Sequence, residues 1–559
     1  MDGQTARRGL TRREDCLPGA ARAPSRQGAP RRLSWRRGVV AALLTITAGF
    51  SAPASSEGVV AHAELGKPEP FTFESVIDTA EHLATAPFQP PAAESVLDTL
   101  DGRIGMRDSA RLWADQPDGF RIRGLHRSRF RRPAVRVHEV DGDEARPWIY
   151  RKSAFDYEDP GAAREASPDL GFGGIEIQRP ALSGGEEGAE PVLIRLSGEG
   201  FIYQPADGPV HGVSARLLLA EQGVDTEAGS TPFFRALWLE RPDPADTTLV
   251  IYAQLDAPGL TAAARLVLDA AKTESPALDV DLRVFVRHDL AVLGVAALGS
   301  HFWYGENDRR AATDWRPEVH GSDGLLMQTG SGARLWRPLV NPPHPDDSRF
   351  RDVDPEGFGL LQRDRDFASY QDTETPYHTL PDLWVAPESP WGEGSVILRE
   401  IPTKSADIDN VLAFWNPRPP ADAGTRWRFE FRMGFGRQVV PDAELLEVSA
   451  TRLGLARYAG EPRDDGSLRL VIDLEPPAGG DQASRNMAPE AHLSTTRGTA
   501  EVVDLSRVVG SDQWRLMIDL AVSGREPVDL RAQLVEDDLP VSETWLYRLH
   551  PGALSWLEQ

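Results

Sequence analysis

The chain has 559 residues, a length that calls for more than one core, and its 40% hydrophobic and 26% charged content marks it as globular rather than disordered. Its net charge is −24, and residues 1–63 hold ten arginines against four acids, so the remainder carries 51 basic and 81 acidic residues, a net of −30. A surface that acidic repels phosphate backbones and anionic headgroups, which excludes nucleic-acid and membrane-surface partners and leaves a neutral polymer unopposed.

Arg31, Arg32, Arg36 and Arg37 precede an apolar run at 38–50, and small residues follow as far as Ala61-His62-Ala63. This is the basic head, short apolar core and A-x-A end of a secretory signal, with cleavage after Ala63 and Ala54 as the alternative. Arg36-Arg37 just before the apolar run is a loose match to the twin-arginine pattern, so export to the periplasm by the Sec or the twin-arginine route is expected. The one cysteine, Cys16, falls inside this leader, so residues 64–559 offer no disulfide framework, zinc-thiolate site or cysteine nucleophile. No later segment has eighteen consecutive apolar residues, so no stable membrane insertion is expected after cleavage.

Beyond the leader, Phe73, Val76, Ile77, Ala80 and Leu83 recur at helical spacing and Pro87 closes the segment. Strand signals dominate after that. Apolar and charged residues alternate over 280–286, and again over 426–433, where Trp427, Phe429, Phe431 and Met433 share one face and Arg426, Arg428, Glu430 and Arg432 the other. Period-two alternation marks a sheet with one wet face. Short strands follow at 468–474, 514–522, 528–535 and 544–549, separated by Gly- and Asp-rich turns. The chain therefore reads as all-β: a large carbohydrate-active β-sandwich over 64–436 and an immunoglobulin-like β-sandwich over 437–559.

Phosphate-binding, dinucleotide, zinc-protease and serine-hydrolase motifs are absent, so no cofactor and no metal are expected. Paired carboxylates remain the economical chemistry. Between 303 and 416 the chain concentrates aromatic, acidic and arginine residues in Pro- and Gly-rich stretches. Aromatic faces stack on sugar rings while charged and amide groups satisfy hydroxyls, so the candidate carbohydrate-binding residues are Trp315, Arg316, Glu318, His320, Trp336, Arg337, Gln362, Arg363, Arg365, Phe367, Tyr370, Trp384, Trp391, Glu400 and Trp415. Any one of these tryptophans alone reads as core; their clustering is what suggests a cleft.

These stretches, together with Asp169-Leu170-Gly171-Phe172, Gly212-Val213-Ser214-Ala215-Arg216, Trp238-Leu239-Glu240-Arg241-Pro242 and Ser542-Glu543-Thr544-Trp545, resemble the periplasmic osmoregulated glucan biosynthesis family, whose members are called protein G and protein D. The resemblance runs through nearly all of the chain after the leader. It implies the same two-sandwich fold and action on the β-1,2-glucan backbone of osmoregulated periplasmic glucans, by inverting glycoside hydrolysis. It implies Asp409 as general acid, and Tyr377 as a residue that lines the cleft or joins a proton relay. Where the family has His-Asp-Ser, this chain has His320-Gly321-Ser322, and Leu380 stands where the family tends to have Arg. The carboxylate that would help activate water is thus missing at Gly321. Asp323 could substitute, although a two-residue shift moves a side chain about 6.5–7 Å along extended chain. Three outcomes stay open: hydrolysis with Asp323 or a water chain as base, transglycosylation to a sugar hydroxyl, or glucan binding and escort without catalysis. The expected partners are a β-linked glucan, the glucan-synthesis machinery at the inner membrane and a second copy in a homodimer.

Overall fold

The computed structural model describes residues 62–558, apart from 92–103, 117, 129–130, 132, 160, 163–165, 181–189, 206–211, 223–230, 310–313, 407, 457–465 and 478–486. Of the leader expected over 1–63, residues 1–61 lie outside the described residues, and no described helix is long and apolar enough to cross a membrane.

The described residues are 52% strand and 7% helix and form several sheets, none of them a barrel, as the alternation implied. The two segments with the clearest period-two pattern lie side by side. The strand Ala277–Val286 pairs antiparallel with Arg426–Gly436, so that Leu278, Val280, Leu282 and Val284 face Met433, Phe431, Phe429 and Trp427. The opposite row carries Asp279, Asp281 and Arg283 against Arg432, Glu430 and Arg428. Arg432 bridges Asp279 at 2.6 Å and Asp269 at 2.9 Å. One face is therefore core and the other an ion-paired wet surface.

These strands belong to a sixteen-stranded sheet. A nine-stranded sheet packs over its apolar face, and the core between them includes Leu218, Val295, Leu298, Leu398 and Trp415 from the smaller sheet with Ala262, Leu282, Phe431 and Met433 from the larger. In the nine-stranded sheet, Ser214–Glu221 and Val292–Ser300 are buried along their whole length, which explains their near-continuous apolar runs. The expected helix forms as Phe73–Thr85, its first turn capped by the Thr72 hydroxyl, which accepts from Ser75 N at 3.2 Å. It seats Val76 and Ala80 on Tyr252, Ala263 and Phe285 of the large sheet.

The C-terminal strands Leu468–Glu475, Trp514–Ala521, Val528–Glu536 and Thr544–Leu549 match the sequence reading closely. Thr544–Leu549 pairs in parallel with Arg334–Pro338, so the large sheet runs without a break into this region. Trp336 and Trp384 pack with Leu470, Ile518, Trp545 and Tyr547 in a second core.

Candidate functional site

Several strands of the nine-stranded sheet end at one place. Ser214 opens Ser214–Glu221 opposite Gly299, and Ser300 closes Val292–Ser300 opposite Val411. Val411 opens Val411–Pro417, directly after Asp409-Asn410, and lies opposite Glu400. The pairing of Val292–Ser300 shifts between Val295 and Leu298, where Ala296 sits at φ 50°. A bulge with a left-handed non-glycine residue costs of order 1 kcal/mol and re-aims the residues beyond it, here Gly299-Ser300-His301.

Asp409 occupies this end. Its Oδ2 accepts from the Ser214 hydroxyl at 2.8 Å and lies 3.0 Å from where a Cβ on Gly299 would stand, so a side chain there would crowd it. The same point is 3.0 Å from Nη1 of Arg216. Arg216 is buried, lies 4.1 Å over the Phe201 ring, and its Nε and Nη1 have no hydrogen-bond partner. Burial lowers its pKa while Asp409 opposes the shift. Asn410 locks the neighbouring loop: its Oδ1 accepts from Phe302 N at 2.8 Å, and its Nδ2 donates to Phe302 O and Ile401 O at 3.1 and 2.9 Å. The loops that carry Asp409 and His301, each one residue away, are thereby tied together.

The strand Phe302–Tyr304 pairs with Val319–His320, which brings Gly321 under His301. Gly321 N donates to His301 O at 2.8 Å, and a Cβ on Gly321 would meet His301 Cε1 at 2.9 Å, Nδ1 at 3.0 Å and Ser300 Oγ at 3.0 Å. The Tyr377 ring lies 5.5 Å from His301, and Leu380 packs 3.5 Å from the Cβ position of Gly212. Asp409, Gly321, Tyr377 and Leu380, the four positions that the resemblance singled out, thus surround one region.

Behind it lies a buried ionic cluster. His320 is fully buried, with Nε2 2.9 Å from Glu318 and 3.4 Å from Asp323, and Nδ1 3.4 Å from the Tyr370 hydroxyl. Burial disfavours the imidazolium, but Asp323, Glu318 and Asp364 outweigh it and raise the pKa to about 9. Burial together with Asp323 and Glu318 pushes Asp364 up to about 8, and burial drives Glu306 well above the usual carboxylate range. Glu318 ends below its ordinary value because the His320 hydrogen bond and charge overcome its burial. Donor atoms of Glu318, His320, Asp323 and Asp364 lie within 4.8 Å of one another, close enough to share a divalent cation, although a protonated His320 already supplies positive charge there. Asp323 is fully engaged: Asp364 N donates to its Oδ2 at 2.9 Å, Arg363 N donates to the same oxygen, and Oδ1 faces His320.

Other predicted residues brace this region. Arg316 chelates Asp314 at 2.9 and 2.8 Å and reaches Asp372 at 2.9 Å. Gln362 donates from Nε2 to His320 O at 3.3 Å, and its N donates to Asp382, which Arg365 also bridges at 2.6 Å. Arg363 bridges Glu543 at 2.8 Å and lies 3.6 Å over Trp336. Arg337 and Glu400 form a fully buried pair at 3.0 Å, with Val340 N donating to Glu400 at 2.7 Å. Trp336, Trp384, Trp391 and Trp415 present no open face, being at most 4% exposed within the two cores. Trp315 is 70% exposed and Phe367 46%, so these two rings are accessible. Ser214, Arg216, His301, Glu306, Asp364 and Asp382 were not singled out as site residues from the sequence. Ser214 and Arg216 carried a signal, polar residues alternating into an otherwise apolar strand.

A cavity of about 910 Å³ opens at the far ends of the same strands, between Arg351–Asp354 and Asn416–Arg418. It has no aromatic lining, and the eight-residue strand Glu393–Glu400 separates it from the Asp409 end by about 24 Å.

The sequence profile described as "Periplasmic glucan biosynthesis protein, MdoG" matches residues 71–549. The chain belongs to this family. Glucans biosynthesis protein D 2 of Ralstonia nicotianae is 37% identical over 528 residues, spanning 91% of this chain and 97% of that relative. Glucans biosynthesis protein D 1 of the same organism is 38% identical over 510 residues, 87% of this chain and 92% of the relative. Glucans biosynthesis protein D of Xanthomonas oryzae pv. oryzae is 35% identical over 507 residues, 88% and 92%. Within the MdoG family match lie both the strand ends around Asp409 and the His320 cluster.

Proposed function

We propose that this chain acts in the periplasm on the β-1,2-linked backbone of osmoregulated glucans, cleaving it by inverting hydrolysis or passing the cleaved end to a sugar hydroxyl. The observation that carries the reading is the setting of Asp409: a carboxyl at a converging strand end, anchored by Ser214 and Asn410, with Gly299 and Gly321 leaving space beside it. Asp409 gives its proton to the departing glucosidic oxygen as the bond to the anomeric carbon breaks. Arg216, buried at the same end, sets a guanidinium charge that interacts with Asp409. Trp315, next to the well-braced Arg316, offers an accessible ring face for stacking.

Export by the Sec or twin-arginine route, release after Ala63, a cleft domain over 64–436 and a supporting domain over 437–559 complete this proposal. A homodimer and contact with the synthesis machinery at the inner membrane belong to it as well.

A second reading, glucan binding and escort without cleavage, draws support from Gly321, which bears no carboxylate, and from Asp323, whose oxygens are all engaged. Incubation with linear β-1,2-glucan and mass spectrometry of the products separates the two. Shorter chains, or products lighter by one water, that disappear in Asp409→Asn establish cleavage or cyclising transfer. Bound but unaltered glucan establishes escort.

A further inference from the structure

An acid alone does not complete an inverting step; a second group must take the proton of the attacking hydroxyl. The groups around Asp409 differ sharply in their freedom to do so. Asp323 accepts from two backbone amides and faces His320. Glu318 is held by His320 at 2.9 Å. Burial pushes the Tyr377 hydroxyl above its ordinary pKa, which makes it harder to ionise. His301 is different. It is 2% exposed, its Nε2 is buried without a hydrogen-bond partner, and its Nδ1–Cε1 edge faces Gly321, about 3 Å from where a Cβ there would stand.

We propose that His301 is the second catalytic group of this site, receiving the nucleophile's proton through the ring edge that faces Gly321, in the space a side chain at 321 would have taken. The inference rests on the glucan-cleaving reading above. Its placement fits. Asp409 Oδ2 lies over Gly299, and His301 is two residues further along the same strand end, an advance of about 6.5–7 Å in extended chain. That backbone advance is comparable to the roughly 6.5–9.5 Å that separates the two reacting groups of inverting pairs. Asn410, tied to Phe302 by two hydrogen bonds, keeps the two loops in that relation.

The proton balance closes without a co-reactant. The oxygen of water, or of a sugar hydroxyl, bonds to the anomeric carbon, and its proton passes to the neutral imidazole. The anomeric carbon–oxygen bond to the departing sugar breaks, and that oxygen takes the proton of Asp409. Solvent then removes the proton from His301 and returns one to Asp409. Burial, aided by the charge of His320, lowers the His301 imidazole to about 3, so it is neutral when the reaction begins. A carboxylate base, with an ordinary pKa of about 4, is about tenfold more basic.

The test compares the wild type with His301→Ala, His301→Gln, Gly321→Asp/His301→Ala and Asp409→Asn, measuring kcat, KM and calorimetric affinity for β-1,2-glucan. We expect His301→Ala and His301→Gln to lose about 10²–10⁴ in kcat while KM and affinity stay within a few fold. Added imidazole should restore part of the rate in His301→Ala, which a merely structural role would not allow. The double variant, in which a carboxylate takes the freed space, should also regain rate. A His301→Ala protein as fast as the wild type, with Asp409→Asn inactive, would leave the cleaving reading intact and overturn the role of His301. A loss in His301→Ala that neither imidazole nor the double variant relieves overturns it too. A wild type that binds glucan and never cleaves it refutes the reading and this inference together.

Discussion

The buried cluster makes a quantitative prediction about alkaline pH. His320 has its pKa raised to about 9, above the ordinary 6.5, so the stability it contributes is complete below 6.5 and is lost as pH rises towards 9. Asp364, held at about 8, keeps a proton in the folded chain that the unfolded chain releases above about 4, so its contribution also falls as pH rises to 8. The two shifts have the same sign between neutral pH and 8. One proton of difference is worth about 1.4 kcal/mol per pH unit, so His320 alone, over about 2.5 units, accounts for roughly 3 kcal/mol. Asp364 is not simply added, because each group's charge sets the other's pKa. With unfolding entropy of about 2.1 cal/mol/K per residue, the roughly 430 described residues give about 0.9 kcal/mol per degree, hence a Tm lower by about 3 °C at about pH 9 than at about pH 6.5. His320→Gln separates this from general charge repulsion. It should cost about 3–5 kcal/mol at the lower pH by leaving Glu318 and Asp323 without their cation, and should flatten the pH dependence. Thermal and urea unfolding of both proteins at the two pH values measure this. A variant that keeps the full wild-type decline would refute the assignment of that decline to His320.

Three further substitutions distinguish packing from recognition. Glu400→Ala should lower stability by about 3–5 kcal/mol, because it strands the buried Arg337, and a urea titration reads this directly. Trp315→Ala should leave stability within about 0.5 kcal/mol while weakening glucan binding in calorimetry, since the ring is exposed and supports no core. Ser214→Ala should reduce kcat about tenfold with little change in KM, the value of one hydrogen bond of about 1.4 kcal/mol that orients Asp409, as steady-state kinetics would show.

How far the sequence reached depends on the range over which its signals act. Period-two alternation is local, so the pairing partners Ala277–Val286 and Arg426–Gly436 were both visible as strands, and the capped helix Phe73–Thr85 was equally plain. The tryptophans were ambiguous because burial is not local. Four of the five candidate tryptophans pack inside, and glycines make room for three of them: Gly324 for Trp336, Gly357 and Gly359 for Trp384, Gly394 for Trp415, each with a Cβ position under 3 Å from the ring. Glycine within an aromatic-rich strand was therefore a packing signal. The ionic cluster was hidden because Glu306, Glu318, Asp364 and Asp382 come from four separate segments that only the sheet ends bring together. His301 comes directly after a strand that is apolar up to its last residue, Ser300, and its composition does not mark His301.

The cluster and Asp409 are joined mechanically. His320 stacks on Phe302 with centroids 5.4 Å apart, Phe302 exchanges two hydrogen bonds with Asn410, and Asn410 adjoins Asp409. An imidazolium pinned by Glu318 and Asp323 therefore fixes the platform that carries Asp409. Loss of that charge loosens the platform without touching anything a sugar would contact, and a misplacement of about 1 Å can cost about a hundredfold in rate. His320→Gln should accordingly lower kcat with glucan affinity preserved, and wild-type kcat should fall over the same pH range in which stability falls. Steady-state kinetics beside calorimetry at each pH supplies both quantities. Unchanged kcat in the variant would mean that the Phe302–Asn410 hydrogen bonds hold Asp409 by themselves and that the cluster serves stability alone.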